Sequence, residues 1–209
     1  MIKKIAETCE LFYLHFAVRG YEWLQQRRVR QLFYQDPHYK ALDQALLKGP
    51  NPYRIKEAFP YGETPLCSLK KIADRFGLKS SDKVVDLGCG RGRGVFFLAQ
   101  HYGCEVTGID MIGPFIDRAQ GLAEDYQGLK VLFACGDMRK FDFSQATFVF
   151  FYGTTFSDEF VEELVQAMKA LPKGSKVVTV SYPLEGLELV DQFLVSFPWG
   201  SAEVYLHLV

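Results

Sequence analysis

Three carboxylates in this chain each stand at the end of a short apolar run, and each is followed by a turn. Asp86 closes Val84-Val85-Asp86, Asp110 closes CEVTGID, and Asp137 closes VLFACGD. After Asp86 the sequence reads Leu87-Gly88-Cys89-Gly90-Arg91-Gly92, with glycine at alternate positions. Such glycines let a backbone turn sharply and approach a ligand closely, and the helix that follows offers its N-terminal amides. Asp86, at a strand's C-terminal end, can accept a hydrogen bond from a cationic amine or a hydroxyl. Asp110 is placed to hold ribose hydroxyls, as an acid there commonly does in open α/β sheets. Asp137, beside Met138, can hold and sandwich an adenine. Taken singly, Asp110 and Asp137 are also what a turn or a cap uses. Three in succession after a glycine loop point to one site.

Two familiar phosphate motifs do not fit. The dinucleotide fingerprint G-x-G-x-x-G would need its third glycine at Arg93 or Val95, depending on where it starts. No Gly-Lys-Ser/Thr follows, so the loop is not a P-loop. The pattern that does fit is D-x-G-x-G-x-G, from Asp86 to Gly92.

Positioning these acids takes alternating strands and helices. Strands are predicted over Val84–Leu87, Glu105–Ile109, Lys130–Ala134, Thr147–Tyr152 and Lys176–Ser181. Helices are predicted over Val95–His101, 113–125 and 157–171. Such alternation predicts an α/β fold with βαβ units and a mostly parallel sheet. A last pair, near Leu189–Phe197 and Glu203–Val209, closes the sheet, the final one as an edge or antiparallel strand. Upstream, Thr64-Pro65 predicts a helix start, with Thr64 as N-cap and proline in the first turn. Leu66, Leu69, Ile72, Ala73 and Phe76 then follow at helical spacing, up to Gly77. Residues 1–60 read as a helical extension, broken near Asp36-Pro37 and closed by Gly49-Pro50-Asn51-Pro52. Residues 61–209 form the main domain. The extension is expected to cap the cleft.

Composition excludes several other classes. The 209 residues carry a net charge of -1, without the broad basic field of a nucleic-acid binder. The first 60 residues hold ten Lys/Arg against six Asp/Glu, a weakly basic arm on an acidic remainder; it reads as a solvated helix face, with weak contact to a membrane surface as the alternative. Five cysteines without CxxC spacing and four scattered histidines suggest free thiols in a reducing, cytoplasmic compartment and no metal site. The apolar stretch 5–18 is interrupted by Glu7, Glu10 and His15 and is too short to span a bilayer.

VVDLGCGRG, TGIDM and CGDM resemble the successive motifs of class I S-adenosylmethionine (AdoMet)-dependent methyltransferases across most of residues 80–181. The resemblance implies a seven-stranded, Rossmann-like doubly wound sheet and AdoMet as cofactor. It implies that Asp86, Gly88, Cys89, Gly90 and Gly92 lie by the methionine end, Asp110 and Met111 by the ribose, and Asp137 and Met138 by the adenine. A narrower likeness lies upstream. Tyr61-Gly62-Glu63-Thr64 is similar to the YGET loop of the Dot-type histone-lysine methyltransferases, and residues 146–179 resemble their fourth-to-fifth-strand segment. Archaeal and mitochondrial lysine methyltransferases without a SET domain share this build. The likeness implies that Tyr61 and Thr64 close over the donor as catalytic positioning residues, with Glu63 beside the cofactor; Tyr152 and the Thr154-Thr155 pair, beyond the end of the fourth strand, are the acceptor-side candidates. The same four residues also read as a capping turn with Glu63 in solvent.

The chain departs from the Dot-type pattern at Tyr152-Gly153, where those enzymes carry an Asn pair, and it lacks their long nucleosome-contacting extensions. A compact or free protein is therefore the expected lysine-bearing acceptor. No D/N-P-P-F/Y follows the fourth strand, which argues against amino-methylation of a flipped base. No cysteine sits in a Pro-Cys context, which argues against cytosine C5 attack. A small-molecule methyltransferase and a non-catalytic AdoMet-binding module are the other readings open at this point.

Overall fold

A computed structural model of the protein describes residues 37–47, 62–126, 128–153 and 156–209. Seven strands form one sheet in the order β3-β2-β1-β4-β5-β7-β6. They are β1 (Lys83–Leu87), β2 (Glu105–Asp110), β3 (Val131–Cys135), β4 (Phe148–Phe151), β5 (Lys176–Val180), β6 (Glu188–Phe197) and β7 (Gly200–Leu208). The first five are parallel neighbours; β7 runs antiparallel between β5 and β6. The C-terminal strand is thus antiparallel as expected but interior, and β6 takes the edge.

Helices α1 (Pro37–Leu47), α2 (Leu66–Arg75), α3 (Arg93–Tyr102), α4 (Gly113–Asp125) and α5 (Asp158–Met168) cover the sheet. Val84, Phe148 and Phe150 face a core built with α1 to α4, while Val85, Leu87, Val149 and Phe151 face a second core under α5. Period-two alternation is therefore present but invisible as polarity, because both faces are covered. All four residues of β4 are buried.

The N-terminal signal at α2 differs from expectation. The helix begins at Leu66, and Pro65, with φ -58° and ψ 137°, is its cap residue, so Thr64 is not the N-cap. The Pro65 carbonyl accepts from Ser68 N and Leu69 N, both at 2.9 Å, which starts the helix without a side-chain cap. Thr64 is left at the cavity instead. Gly77 ends α2 as expected: at φ +67° it lets Leu78 N donate to Ala73 O and Gly77 N to Asp74 O, a Schellman motif.

Within the N-terminal extension, α1 is described. Leu42 and Leu46 are buried in the same core as α3 and α4, and Arg118 Nη2 donates to Ala45 O at 3.5 Å. None of its described side chains lines the cavity described below. Residues 1–36 and 48–61, including Tyr61, lie outside the described residues, as do Thr154 and Thr155. Among the described residues, no helix is long and apolar enough to cross a membrane. The buried His207 is structural: its Nε2 accepts from Leu184 N at 3.0 Å, tying β7 to the segment after β5.

Candidate active site

Strand order decides where the acids meet. Residues at the C-terminal ends of β3, β2, β1, β4 and β5 come out on one rim, and the order reverses direction between β1 and β4. Open parallel sheets bind ligands in the crevice at such a switch point. A cavity of about 510 Å³ lies there, lined in rim order by Asp137 and Met138, Asp110 and Met111, Asp86 with Gly88 to Gly90, Tyr152, and Ser181. Thr64 and Glu63 line it from the segment before α2, and Trp199 from the β6–β7 turn. Its volume is in the ordinary range for small-molecule sites, roughly 300–1,000 Å³.

The glycine loop folds back onto β2. Gly88 N and Cys89 N both donate to Ile109 O, at 2.8 and 3.0 Å. Gly90 N donates to Asp110 Oδ2 at 2.8 Å, while Ile112 N donates to Asp110 Oδ1 at 2.9 Å. Asp110 is thus fixed by one amide on each oxygen, and a second lone pair on each is left for a ligand's hydroxyls. Burial pushes its pKa up, and the amide bonds work against that.

Asp86 sits deeper and is pushed up to about 7, by burial first and then by the charge on Asp110. Two carboxylates in a low-dielectric crevice disfavour one another's ionisation, and a bound cation would relieve both. That is how the site fits an ammonium-bearing ligand. Space for the Asp86 carboxylate comes from Gly94, a residue the sequence reading missed. A Cβ there would lie 3.3 Å from Asp86 Oδ2 and 3.3 Å from Leu69 Cδ2.

Gly92, expected to face the cofactor, does not line the cavity. It is the left-handed cap residue of α3 at φ +78°, and a Cβ there would come within 2.5 Å of the Phe133 ring. Its glycine character serves helix-to-sheet packing. Cys89 lines the cavity, yet its thiol packs toward Gly108: a Cβ on Gly108 would be 2.8 Å from the sulfur. Burial pushes the thiol's pKa well up, so it stays protonated and packs as a small apolar group.

Glu63 is not solvated. Arg91 Nε donates to its Oε1 at 2.6 Å and Arg91 Nη2 lies 2.5 Å away, a largely buried pair that fastens the segment before α2 to the glycine loop. Asp137 caps a 3-10 turn (Met138–Lys140) and accepts from Arg139 through backbone and guanidinium, with Nη2 to Oδ2 at 2.6 Å. That cation holds its pKa below the usual carboxylate value. The Arg139 guanidinium also stands 4.5 Å over the Phe160 ring, which stacks on Phe156 at 4.4 Å, and all three residues line the cavity. Met138 is buried, and Met111 is exposed on the rim.

Tyr152, immediately after β4, has a hydroxyl buried from solvent without a hydrogen-bond partner among the described residues. Thr64 and Asp86 are near enough to bias its ionisation, and burial pushes its pKa up. Trp199 and Ser181 could not be read from any motif. Trp199 is 49% exposed and stacks on Phe197 at 4.9 Å. Ser181 holds a left-handed φ of +76° while its N–H donates to Glu203 O at 2.8 Å.

Residues 84–174 match the family described as a methyltransferase domain. Its span runs from β1 through the three acids to the turn before β5. Over this stretch, 91 of its 209 residues, the chain is similar to a methyltransferase domain. The sheet order and fold of this domain are shared with solved structures. An RNA methyltransferase from Salinibacter ruber in complex with S-adenosyl-L-homocysteine is 22% identical at a TM-score of 0.58, covering 72% of this chain and 94% of that one. Magnesium protoporphyrin IX methyltransferase from Synechocystis, with bound SAM, is 14% identical at a TM-score of 0.56, covering 74% of this chain and 88% of that one. At these identities the likeness concerns the fold.

Curated relatives extend the comparison. A histone-lysine N-methyltransferase, H3 lysine-79 specific, from Dictyostelium discoideum is 28% identical over 157 residues, 67% of this chain and 8% of that protein. Phosphoethanolamine N-methyltransferase 1 from Triticum aestivum is 34% identical over 87 residues, 40% of this chain and 16% of its own length. The matches therefore span a small part of these relatives.

Proposed function

We propose that the protein is a cytoplasmic methyltransferase whose acceptor is a lysine side chain of another protein. The observation that carries this reading is the lining of the cavity: beside the three acids it holds Thr64, Phe150, Tyr152, Phe156, Val180 and Trp199, a largely aromatic and aliphatic set suited to the stem of a lysine. In this reading Asp86 receives the ammonium of the donor's methionine part, Asp110 the ribose hydroxyls, and Asp137 with Met138 the adenine. Glu63 holds the loop over them through Arg91. Thr64 and, on the resemblance, Tyr61 close the methionine end, and Tyr152 meets the acceptor.

The chemistry asks little of the protein beyond alignment and exclusion of water. The acceptor nitrogen's lone pair forms the new N–C bond as the C–S bond breaks, with the bonding pair going to sulfur, which leaves as a neutral thioether. The nitrogen then sheds a proton to solvent. A lysine, with an ordinary pKa of about 10.4, must be neutral to attack. Aromatic and aliphatic walls disfavour its charged form and so help deprotonate it. The Dictyostelium lysine methyltransferase supports this acceptor through a match over 67% of the chain. The phosphoethanolamine relatives support a second reading, a small-molecule amine, over a shorter segment.

The test is turnover. Protein, labelled AdoMet and a cell extract are incubated, and macromolecules are separated from metabolites. Label on protein, recovered as methyl-lysine after hydrolysis and increasing with pH, is the expected result. Label confined to small molecules would overturn the lysine reading, and no turnover at all would favour a module that only binds AdoMet.

A further inference from the structure

Tyr152 holds a polar group to which the proposed placement of the donor assigns no contact. Its hydroxyl is fully buried and unbonded among the described residues, at the end of β4 where the strand order switches. An unpaired buried hydroxyl is unfavourable by about 1–3 kcal/mol, so its persistence calls for a partner that arrives with a ligand. Asp86 and Thr64 are its polar neighbours in the cavity, which puts it at the methionine end and on the side where the acceptor enters. The segment is also held in place. Gly153 O accepts from the Tyr182 hydroxyl, and any Cβ at Gly153 would strike the Phe151 ring. Tyr152 therefore cannot retreat without breaking that anchor.

We infer that the Tyr152 hydroxyl oxygen accepts an N–H from the acceptor amine, and that this bond makes the site selective for amines that still carry one. This rests on the proposed methylation of a lysine nitrogen. A phenol kept protonated by burial is no general base; it can only orient. Once the amine's lone pair points at the donor methyl, its remaining substituents point away from it. A primary amine offers two hydrogens there, a monomethyl amine one, and a dimethyl amine none. The first and second transfers can thus use Tyr152, whereas the third leaves the hydroxyl unpaired against a methyl group. Mono- and dimethylated products should accumulate, with trimethylation slow.

The experiment compares wild type with Tyr152→Phe, which keeps the ring. Bulk extract protein and labelled AdoMet are used as substrates, and mono-, di- and trimethyl-lysine are resolved by mass spectrometry after hydrolysis. Expected are a five- to tenfold fall in kcat/KM for the first transfer, the worth of one neutral hydrogen bond, and a comparable rise in the ratio of third to first transfer. AdoMet affinity by calorimetry should stay within twofold, and the variant should melt at or above the wild-type temperature, because no internal bond is lost. Unchanged rates and product ratios would overturn the inference; so would a lower melting temperature, which would mean that the hydroxyl is bonded within the fold. If label appears only on small molecules, the lysine reading fails separately. The same comparison on that product then decides: an amine with shifted methylation ratios upholds the role of Tyr152, and an O- or C-methyl product overturns it.

Discussion

On the proposed reading the cavity has a donor end and an acceptor end, and the two are built by different means. The donor end is made of consecutive strand–turn units: Asp86 with its glycine loop, then Asp110, held by two backbone amides, then Asp137, held by Arg139. The acceptor end is assembled from Thr64, Tyr152, Ser181 and Trp199, which come from four separate parts of the chain. At the donor end, Asp110 and Asp137 are tied down before any ligand arrives. At the acceptor end a hydroxyl is unbonded among the described residues, a serine is strained and a tryptophan is half open. The contrast fits a site that binds one ligand in a fixed pose and admits a second that must enter and leave.

The largest expected effect is at Asp86. Asp86→Ala should weaken AdoMet binding by about 2–3 kcal/mol, the scale for losing a hydrogen bond to a charged partner, as read by calorimetry. The pH dependence follows from its folded-state value of about 7, above the ordinary carboxylate value of 3.8. The folded apo-protein holds a proton on Asp86 that the unfolded chain has released, so this group favours folding in acid and loses that contribution as pH rises through about 7. Two results should follow. AdoMet affinity should rise between pH 6 and 8, as the carboxylate becomes available to a cation. Asp86→Asn should melt above wild type at pH 8 without ligand, by about 1–3 kcal/mol of the roughly 4 that such a shift represents. A variant that is less stable at pH 8 would show Asp86 to be a structural acid, and the donor end would lose its main argument.

The second effect tests the other end. Trp199→Ala should lower kcat/KM for the acceptor about tenfold, or roughly 1.4 kcal/mol, through lost aromatic wall. AdoMet affinity should stay within twofold, because the donor-side acids are untouched. Equal losses in both would mean that Trp199 covers the donor and that the cavity has no separate acceptor end.

Legibility in the sequence follows the same division. Asp86, Asp110 and Asp137 could be found because each acid sits at or near the C-terminal end of its own strand, so local pattern and cavity lining coincide. The parallel core was readable for a similar reason: β4 shows as Phe148-Val149-Phe150-Phe151, an unbroken apolar run buried on both faces. Alternating glycines were a weaker guide. Gly92 serves the Phe133 ring and Gly94 makes room for Asp86, a distinction set by partners 41 and 8 residues away in sequence. Thr64 was misread as a cap because Thr-Pro before a helix is the usual start, whereas here Pro65 is extended and Thr64 faces the cavity. Trp199 and Ser181 carry no local signal at all. Only the antiparallel insertion of β7 between β5 and β6 brings the β6–β7 turn and the end of β5 to the same rim.

The smallest effect concerns Ser181, the only non-glycine residue with positive φ among those described. A serine at φ +76° stores strain that glycine does not, so Ser181→Gly should stabilise the fold by about 0.5–1 kcal/mol, or roughly 1–4 °C in melting temperature. The bond from its N–H to Glu203 O would survive, since it depends on the backbone path and not on the side chain. What changes is freedom: glycine reaches many more conformations, and the residue leads from β5 into the segment carrying Tyr182, whose hydroxyl holds Gly153 beside Tyr152. If strain there keeps the acceptor end in register, the more stable variant should be the poorer enzyme, with acceptor KM raised two- to threefold and AdoMet affinity unchanged. Gain in stability with unaltered KM would show the strain to be incidental to the fold. Loss of AdoMet affinity would be the more damaging result, because it would couple two ends that the structure builds apart.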